Sequence, residues 1–429
     1  MTSNEGNSSN GSRIENWNEY KIANIAKIKG GGTPSTKTLS YWNGNIPWIT
    51  PKDLSVQKNK YIERGSRNIT EKGLANSNAN LIPPNSIILS TRAPIGYIAI
   101  SRNELTTNQG CHALIPSNNI DTEFLYYLLK GNVEFLKSRS NGSTFGELPG
   151  KTLREIKFLF PTLYEQKAIA KILSDIDSKI ELNQKMNKTL ESTAQAIFKH
   201  WFIDFEFPNE EGKPYKSSGG EMVDSELGEI PKGWEVKRIK DLCISIENGG
   251  TPKRMEKKYW NGEINWFKTG ELNDRPLIDS AEKITREGLI NSSCKLWKIN
   301  TILIALYASP TVGRLGLLKV EGASNQACSG LVAKDEIGYP YLFYTLFFKR
   351  DELNNIASGA AQQNISQEII KESVCIQPPL RLLDNFNWMV TGLIDRQTLL
   401  AKEQAMLSNI RDSILPKLLT GKIRVPLEE

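Results

Sequence analysis

GGTPSTKTLSYWNGNIPW, Gly31 to Trp48, is spelled a second time 218 residues later as GGTPKRMEKKYWNGEINW, Gly249 to Trp266. Ten of the eighteen positions are identical, where chance pairing at ordinary residue usage gives about one. The repeat reaches well beyond this loop. Thr70-Glu-Lys-Gly-Leu74 returns as Thr285-Arg-Glu-Gly-Leu289, and Asn85-Ser-Ile-Ile-Leu89 as Asn300-Thr-Ile-Leu-Ile304. Asn108-Gln-Gly-Cys111 returns as Asn325-Gln-Ala-Cys328, Phe124-Leu-Tyr-Tyr-Leu-Leu129 as Tyr341-Leu-Phe-Tyr-Thr-Leu346, and Pro161 matches Pro378. The offset drifts only between 215 and 218. One domain of about 145 residues is therefore present twice, which is a different architecture from a short-period solenoid.

Each copy reads as mixed α and β. Ser86 to Ser90 and Ile95 to Ile100 have the β-branched character of strands. Thr122 to Lys137 has helical spacing, with Phe124, Leu125, Leu128, Leu129 and Leu136 on or near one face. After each copy the pattern changes. Ile176, Ile180, Asn183, Asn187, Leu190, Ala194, Ile197 and Trp201 step by four and three alternately. Leu393, Gln397, Leu400, Gln404, Leu407, Arg411, Ile414 and Leu418 repeat those steps at a constant offset of 217. That alternation is the seam of a coiled coil. Neither proline nor glycine interrupts Glu165 to Trp201, a run of roughly 55 Å if helical. The only stripe matching the second helix lies on the first, so the two are expected to pack antiparallel. The polar seam groups Asn183, Asn187, Gln397 and Gln404 cost stability, and either fix register or are tolerated by a short, loosely packed seam.

The expected fold class is α+β: two pseudo-symmetric mixed α/β heads joined by two long antiparallel coiled-coil helices, in the form of a dumbbell. The division runs 1–15 disordered lead, 16–162 first head, 163–203 central helix, 204–233 linker, 234–379 second head, 380–420 C-terminal helix and 421–429 tail. The linker is acidic and rich in glycine, proline and serine, and reads as a tether.

Composition narrows the function. The chain has 429 residues, 39% hydrophobic, and no apolar run near the 18 residues of a membrane span. Its polar start, MTSNEGNSSNGS, lacks the apolar core of a secretory signal. Five cysteines without CxxC spacing fit a reducing cytoplasm. Two histidines, His112 and His200, argue against a zinc site or a Ser-His-Asp machine. The net charge of +6 permits a polyanionic partner and equally fits an ordinary solvated surface.

Catalytic motifs are missing. There is no GxGxxG or Walker loop, and Gly30-Gly31-Gly32 runs into Thr-Pro, which spoils a phosphate-holding helix N-terminus. Pro83-Pro84 and Pro378-Pro379 lack the flanks of an Asn/Asp-Pro-Pro-aromatic methylase motif. Carboxylate–lysine spacings such as Asp177-Ser-Lys179 read as solvated helix faces. Two similar heads at a fixed separation suit a polymer read at two places, and duplex DNA has that property. The loop candidates for DNA contact are Thr36, Lys37, Lys52, Arg92 and Gln109 in the first copy. In the second they are Arg254, Lys257, Lys258, Lys268, Arg314 and Gln326. Arginine and lysine suit guanine edges and phosphates, and glutamine suits adenine. Trp42, Trp48, Trp260 and Trp266 are expected to pack the loops onto the core. Frame residues match between copies while loop interiors diverge, as in Ser35–Ser40 against Lys253–Lys258 and Thr91–Pro94 against Leu306–Pro310.

At this point the chain resembles the specificity subunit of type I restriction–modification systems. The resemblance rests on the doubled GGTP…YWNG…W block, on Pro161-Thr-Leu-Tyr-Glu-Gln166, on Ala196-Ile-Phe-Lys-His-Trp-Phe-Ile-Asp-Phe205 and on Ile410-Arg-Asp-Ser-Ile-Leu-Pro-Lys-Leu-Leu-Thr-Gly421. One departure is Leu382-Leu383 in place of Glu165-Gln166. The resemblance implies two target-recognition domains, each reading half of a bipartite site in double-stranded DNA. It implies a helical rod that sets the spacer and docks two methyltransferase subunits, through Ile176, Ile180, Asn187, Leu190, Ile197, Leu393, Leu400, Gln404, Leu407 and Ile414. Restriction–translocase subunits would join them. S-adenosylmethionine, ATP and Mg2+ would act on those partners, with no cofactor, metal or active site on this chain. The alternatives are a protein–protein scaffold and a self-contained DNA methyltransferase or nuclease.

Overall fold

The computed structural model describes residues 17–57, 59–92, 94–141, 146–307, 311–358 and 364–426. The expected lead over 1–15, positions 93 and 308–310 of the paired loops, and 427–429 of the tail lie outside these.

The first copy runs β1 (Asn18–Lys21), β2 (Ala26–Gly30), β3 (Trp42–Ile49), β4 (Tyr61–Ile62), β5 (Arg67–Ile69), β6 (Ile87–Ser90), β7 (Ile98–Ser101), β8 (Thr106–Thr107), β9 (Cys111–Pro116) and β10 (Lys157–Phe160). Three sheets result: β1-β10, β5-β3-β8 and β2-β9-β6-β7-β4. Strand β6 is central and fully buried along Ile87, Ile88 and Leu89, which is why it reads as a continuous apolar run. The expected helix over Thr122–Lys137 is two, Thr122–Gly131 and Val133–Ser138. Asp121 caps the first by accepting from the Phe124 N–H. Asn132 ends it by donating to the Leu128 carbonyl.

The second copy adds a hairpin, β11 (Met222–Ser225) and β12 (Gly228–Pro231). It then repeats the plan with β13 (Glu235–Arg238), β14 (Cys243–Asn248), β15 (Trp260–Phe267), β16 (Arg275–Leu277), β17 (Glu282–Ile284), β18 (Ile302–Ala305), β19 (Leu315–Leu318), β20 (Gly322–Ser324), β21 (Cys328–Ala333) and β22 (Val374–Gln377). The sheets β13-β22, β17-β15-β20 and β14-β21-β18-β19-β16 match those of the first copy strand for strand.

Two long helices span Leu163–Phe198 and Leu380–Leu419. The chain forms two compact units. One holds residues up to Glu181 together with Met406 onward, and the other is Leu182–Ala405. Within each unit the helices run antiparallel. In the first, Asp177 pairs with Arg411 and Glu165 with Arg424. In the second, the Asn183 side chain donates to Glu403 (2.8 Å) and Gln397 donates to the Asn187 carbonyl (3.4 Å). The Asn183 and Gln397 side chains thus bond across the seam, Asn187 taking part through its backbone carbonyl. All ten seam positions implied above are buried or half-buried.

The first helix reaches the expected Trp201, with its winding changing to a π-type turn over Lys199–Ile203. The turn brings Phe198, Trp201 and Phe202 around Phe386. Several expectations need correction. The segment 204–233 is a packed strap and not a tether: Phe205, Phe207 and Ile230 are buried, and Tyr215 stacks on Phe207 at 4.6 Å. Asp177 is no solvated face residue. It accepts from the Tyr127 hydroxyl and from Arg411, both at 2.8 Å. The tail is anchored as far as Val425, which is buried with Leu418 and Leu419 in the core of the first copy. Glu165 binds Arg424 and accepts from the Trp17 indole. Its counterpart Leu382 packs against the second core, where Leu383 is fully buried.

Candidate nucleic-acid interface

The repeated loop is frame. A Cβ on Gly31 would overlap the Asn108 carbonyl oxygen, and one on Gly249 the Asn325 carbonyl oxygen, so only glycine fits this close backbone approach. The Trp48 indole donates to the Gly32 carbonyl and Trp266 to Gly250, both at 2.9 Å. Trp42 meets Trp48 edge-on at 5.0 Å, and Trp260 meets Trp266 at 5.1 Å. Asn43 and Asn261 have left-handed backbones, with φ of 62° and 60°, a conformation asparagine tolerates. They form a bulge in which Trp42 and Ile46 both pair with Ile69, and Trp260 and Ile264 both with Ile284. The tryptophans pack the loops onto the core as expected.

This frame gathers four segments at one face of each copy. In the first, the Trp42 indole donates to the Ser35 carbonyl, next to the exposed Thr36 and Lys37. The Thr33 hydroxyl donates to the exposed Gln109. Thr50 and Asp53 cap the short helix Pro51–Val56, which carries Lys52. Asp53 also accepts from the Ser66 N–H at 2.8 Å. Burial alone would raise the Asp53 pKa, but its hydrogen bonds from Thr50 and Ser66 hold the carboxyl below its usual value. Thr91, beside Arg92, donates its N–H to the Gly110 carbonyl. The second copy repeats the scheme: Trp260 to Lys253, Thr251 to Gln326, and Glu271 accepting from Lys268 and Ala281 N–H groups at 2.8 Å. Arg314 is half-buried between β18 and β19, and its carbonyl accepts from Ala305.

The copies differ in how their cations are held. In the first, Lys37 and Lys52 are exposed and make no ion pair among the described residues, while Arg92 binds Glu147 at 2.6 Å. In the second, Glu282 takes both Arg254 and Lys268. Glu287 takes Lys258, leaving Lys257 exposed and unpaired among the described residues. The Glu282 carboxyl is held below its usual range, by Arg254 first and Lys268 next. Sequence reasoning missed Arg67 and Glu282. The signal was present in the aligned strands β5 and β17, where arginine in one copy faces glutamate in the other. His112, hydrogen-bonded to Thr91 at 2.9 Å, has its pKa lowered by burial and then by Arg154, so the ring is neutral at pH 7. All five cysteines are buried and unpaired. Among the described residues no helix is long and apolar enough to cross a membrane.

Two copies of one head, each followed by a seam helix, define a doubled recognition scaffold. A family model described as "Type I restriction modification DNA specificity domain" matches twice, over residues 14–192 and 231–381. The type I restriction enzyme MjaIX specificity subunit of Methanocaldococcus jannaschii is 37% identical over 416 residues, spanning 96% of this chain and 94% of that relative. The HindI specificity subunit of Haemophilus influenzae is 24% identical over 96% of this chain and its own full length. The crystal structure of a type I S subunit from M. genitalium superposes with a TM-score of 0.60 at 17% identity, over 96% of this chain and 97% of that one. The chain belongs to the type I restriction–modification DNA specificity family. Specificity subunits are the non-catalytic chains of these systems.

Proposed function

We propose that this chain reads DNA for a type I restriction–modification assembly in the cytoplasm. Each copy recognises one half of an asymmetric, bipartite site in double-stranded DNA. The long helices set the spacer between the halves and dock two methyltransferase subunits, with restriction–translocase subunits joining them. S-adenosylmethionine, ATP and Mg2+ act on those partners.

The observation that carries this reading is the face formed twice on one frame with different exposed residues. Thr36, Lys37, Lys52 and Gln109 surround it in the first copy, and Lys257 and Gln326 in the second. Two readers tuned to unlike sequences need that combination. Hydrogen bonds across the helix seam support a rod of fixed register.

The test is to assemble the chain with its methyltransferase subunits and map the methylated adenines. The expected result is two unlike half-sites with a fixed, unspecified spacer. Methylation at one continuous sequence, or methylation indifferent to this chain, overturns the reading. Inserting one heptad into each long helix should lengthen the spacer and leave both half-sites unchanged.

A further inference from the structure

Both copies hold a guanidinium over the first tryptophan of the frame, but from different segments. In the first copy Arg67 of β5 lies 3.5 Å from the Trp42 ring centre. In the second, Arg254 of the loop lies 3.9 Å from the Trp260 ring. The strand registers make the exchange explicit. Arg67 stands opposite Trp48, and Glu282 stands opposite Trp266. The loop position equivalent to Arg254 is Thr36. Where the arginine has moved to the loop, its old strand position carries the glutamate that binds it.

The two guanidiniums are therefore not in the same chemical state. Glu282 occupies hydrogen-bonding capacity of Arg254 and binds Lys268 as well. Arg67 is exposed, stacked, and without an ion-pair partner among the described residues. Stacking fixes the plane of the guanidinium and leaves its N–H edge free, so little further side-chain freedom is lost on binding. A planar, pre-oriented fork suits the O6 and N7 acceptors of guanine in the major groove.

We propose that Arg67 is a base-reading residue of the first copy and that Arg254, neutralised by Glu282, is a frame residue of the second. The proposal rests on the DNA-reading function above and names a specificity determinant within it.

The experiment uses the full chain assembled with its methyltransferase subunits, and scores methylation across a randomised DNA library for wild type, Arg67→Ala, Arg67→Lys and Arg254→Ala. The Lys variant keeps a cation near the ring but lacks the fork. For both Arg67 variants, discrimination at one base pair of one half-site should fall by roughly 5- to 150-fold, with the other half-site unchanged. Arg254→Ala should leave every base preference in place. The proposal is overturned if Arg67→Lys keeps wild-type discrimination, or if the Arg67 variants weaken all sequences alike, as a phosphate contact would. It is also overturned if both Arg67 variants lose the cooperative unfolding of the wild-type protein, which would make Arg67 structural, or if Arg254→Ala relaxes a base. A wild-type assembly with no bipartite preference sinks the underlying function; a bipartite wild type with indifferent Arg67 variants sinks only this assignment.

Discussion

The two heads share a backbone plan and differ in their charge economy. Both fix the GGTP loop with glycine packed on backbone and indole N–H groups on carbonyls. Above that frame, the first copy leaves Lys37, Lys52 and Arg67 unpaired among the described residues, while the second ties Arg254, Lys258 and Lys268 to Glu282 and Glu287. The lesson is that recognition surfaces diverge at low structural cost when the residues that specify the fold are not those that meet the ligand. An exposed ion pair contributes at most about 1 kcal/mol, so it forms or dissolves without endangering the sheet beneath.

If the frames are equivalent, the largest effects come from breaking them. Trp48→Ala and Trp266→Ala should each cost about 3–5 kcal/mol in their own head, read by hydrogen exchange of the flanking strands. A clear inequality would show that one loop does not depend on its tryptophan. Gly31→Ala and Gly249→Ala should follow at about 1–3 kcal/mol by the same measurement, since each forces a backbone shift.

Glu282→Gln sharpens the contrast by turning the second head into a free-cation surface like the first. Stability should change by less than about 1 kcal/mol, while DNA affinity rises and falls off more steeply with salt. An unchanged salt slope would mean Arg254 and Lys268 face away from the duplex. The pH behaviour follows in sign. Because the folded Glu282 pKa is depressed, its ion pairs contribute above the unfolded value and are lost only as pH falls through the lower folded one. DNA affinity therefore stays flat near neutrality on this account and rises only in acid. The smallest effects belong to single unpaired lysines. Lys37→Ala and Lys257→Ala should each lower the salt slope by about one without altering base preference.

Much of the fold was legible because a repeat carries its own control. Each strand assignment in one copy could be checked against the other, and the alternating steps of three and four marked the seam. What stayed hidden depends on contacts between distant residues. The strap 204–233 has the composition of a linker, yet Phe205, Phe207 and Ile230 bury themselves in the second core. Asp177-Ser-Lys179 has the spacing of a solvated helix face, and only the fold brings Tyr127 and Arg411 onto Asp177. At the candidate interface, residue type pointed to lysines and arginines, but pairing state decides which of them are available. Arg67 escaped notice because its aligned partner is an acid.

The anchoring of Arg424 and Val425 also bears on how the molecule is made. Glu165 and Arg424 are 259 positions apart, which at 5–20 residues per second is about 13 to 50 s of synthesis. The second unit, Leu182–Ala405, is continuous and can close as it emerges. The first head, although translated earlier, holds an open seat for Leu418, Leu419 and Val425 during that interval. The head begun first is thus the head finished last, and its apolar seat is the surface a chaperone would have to guard.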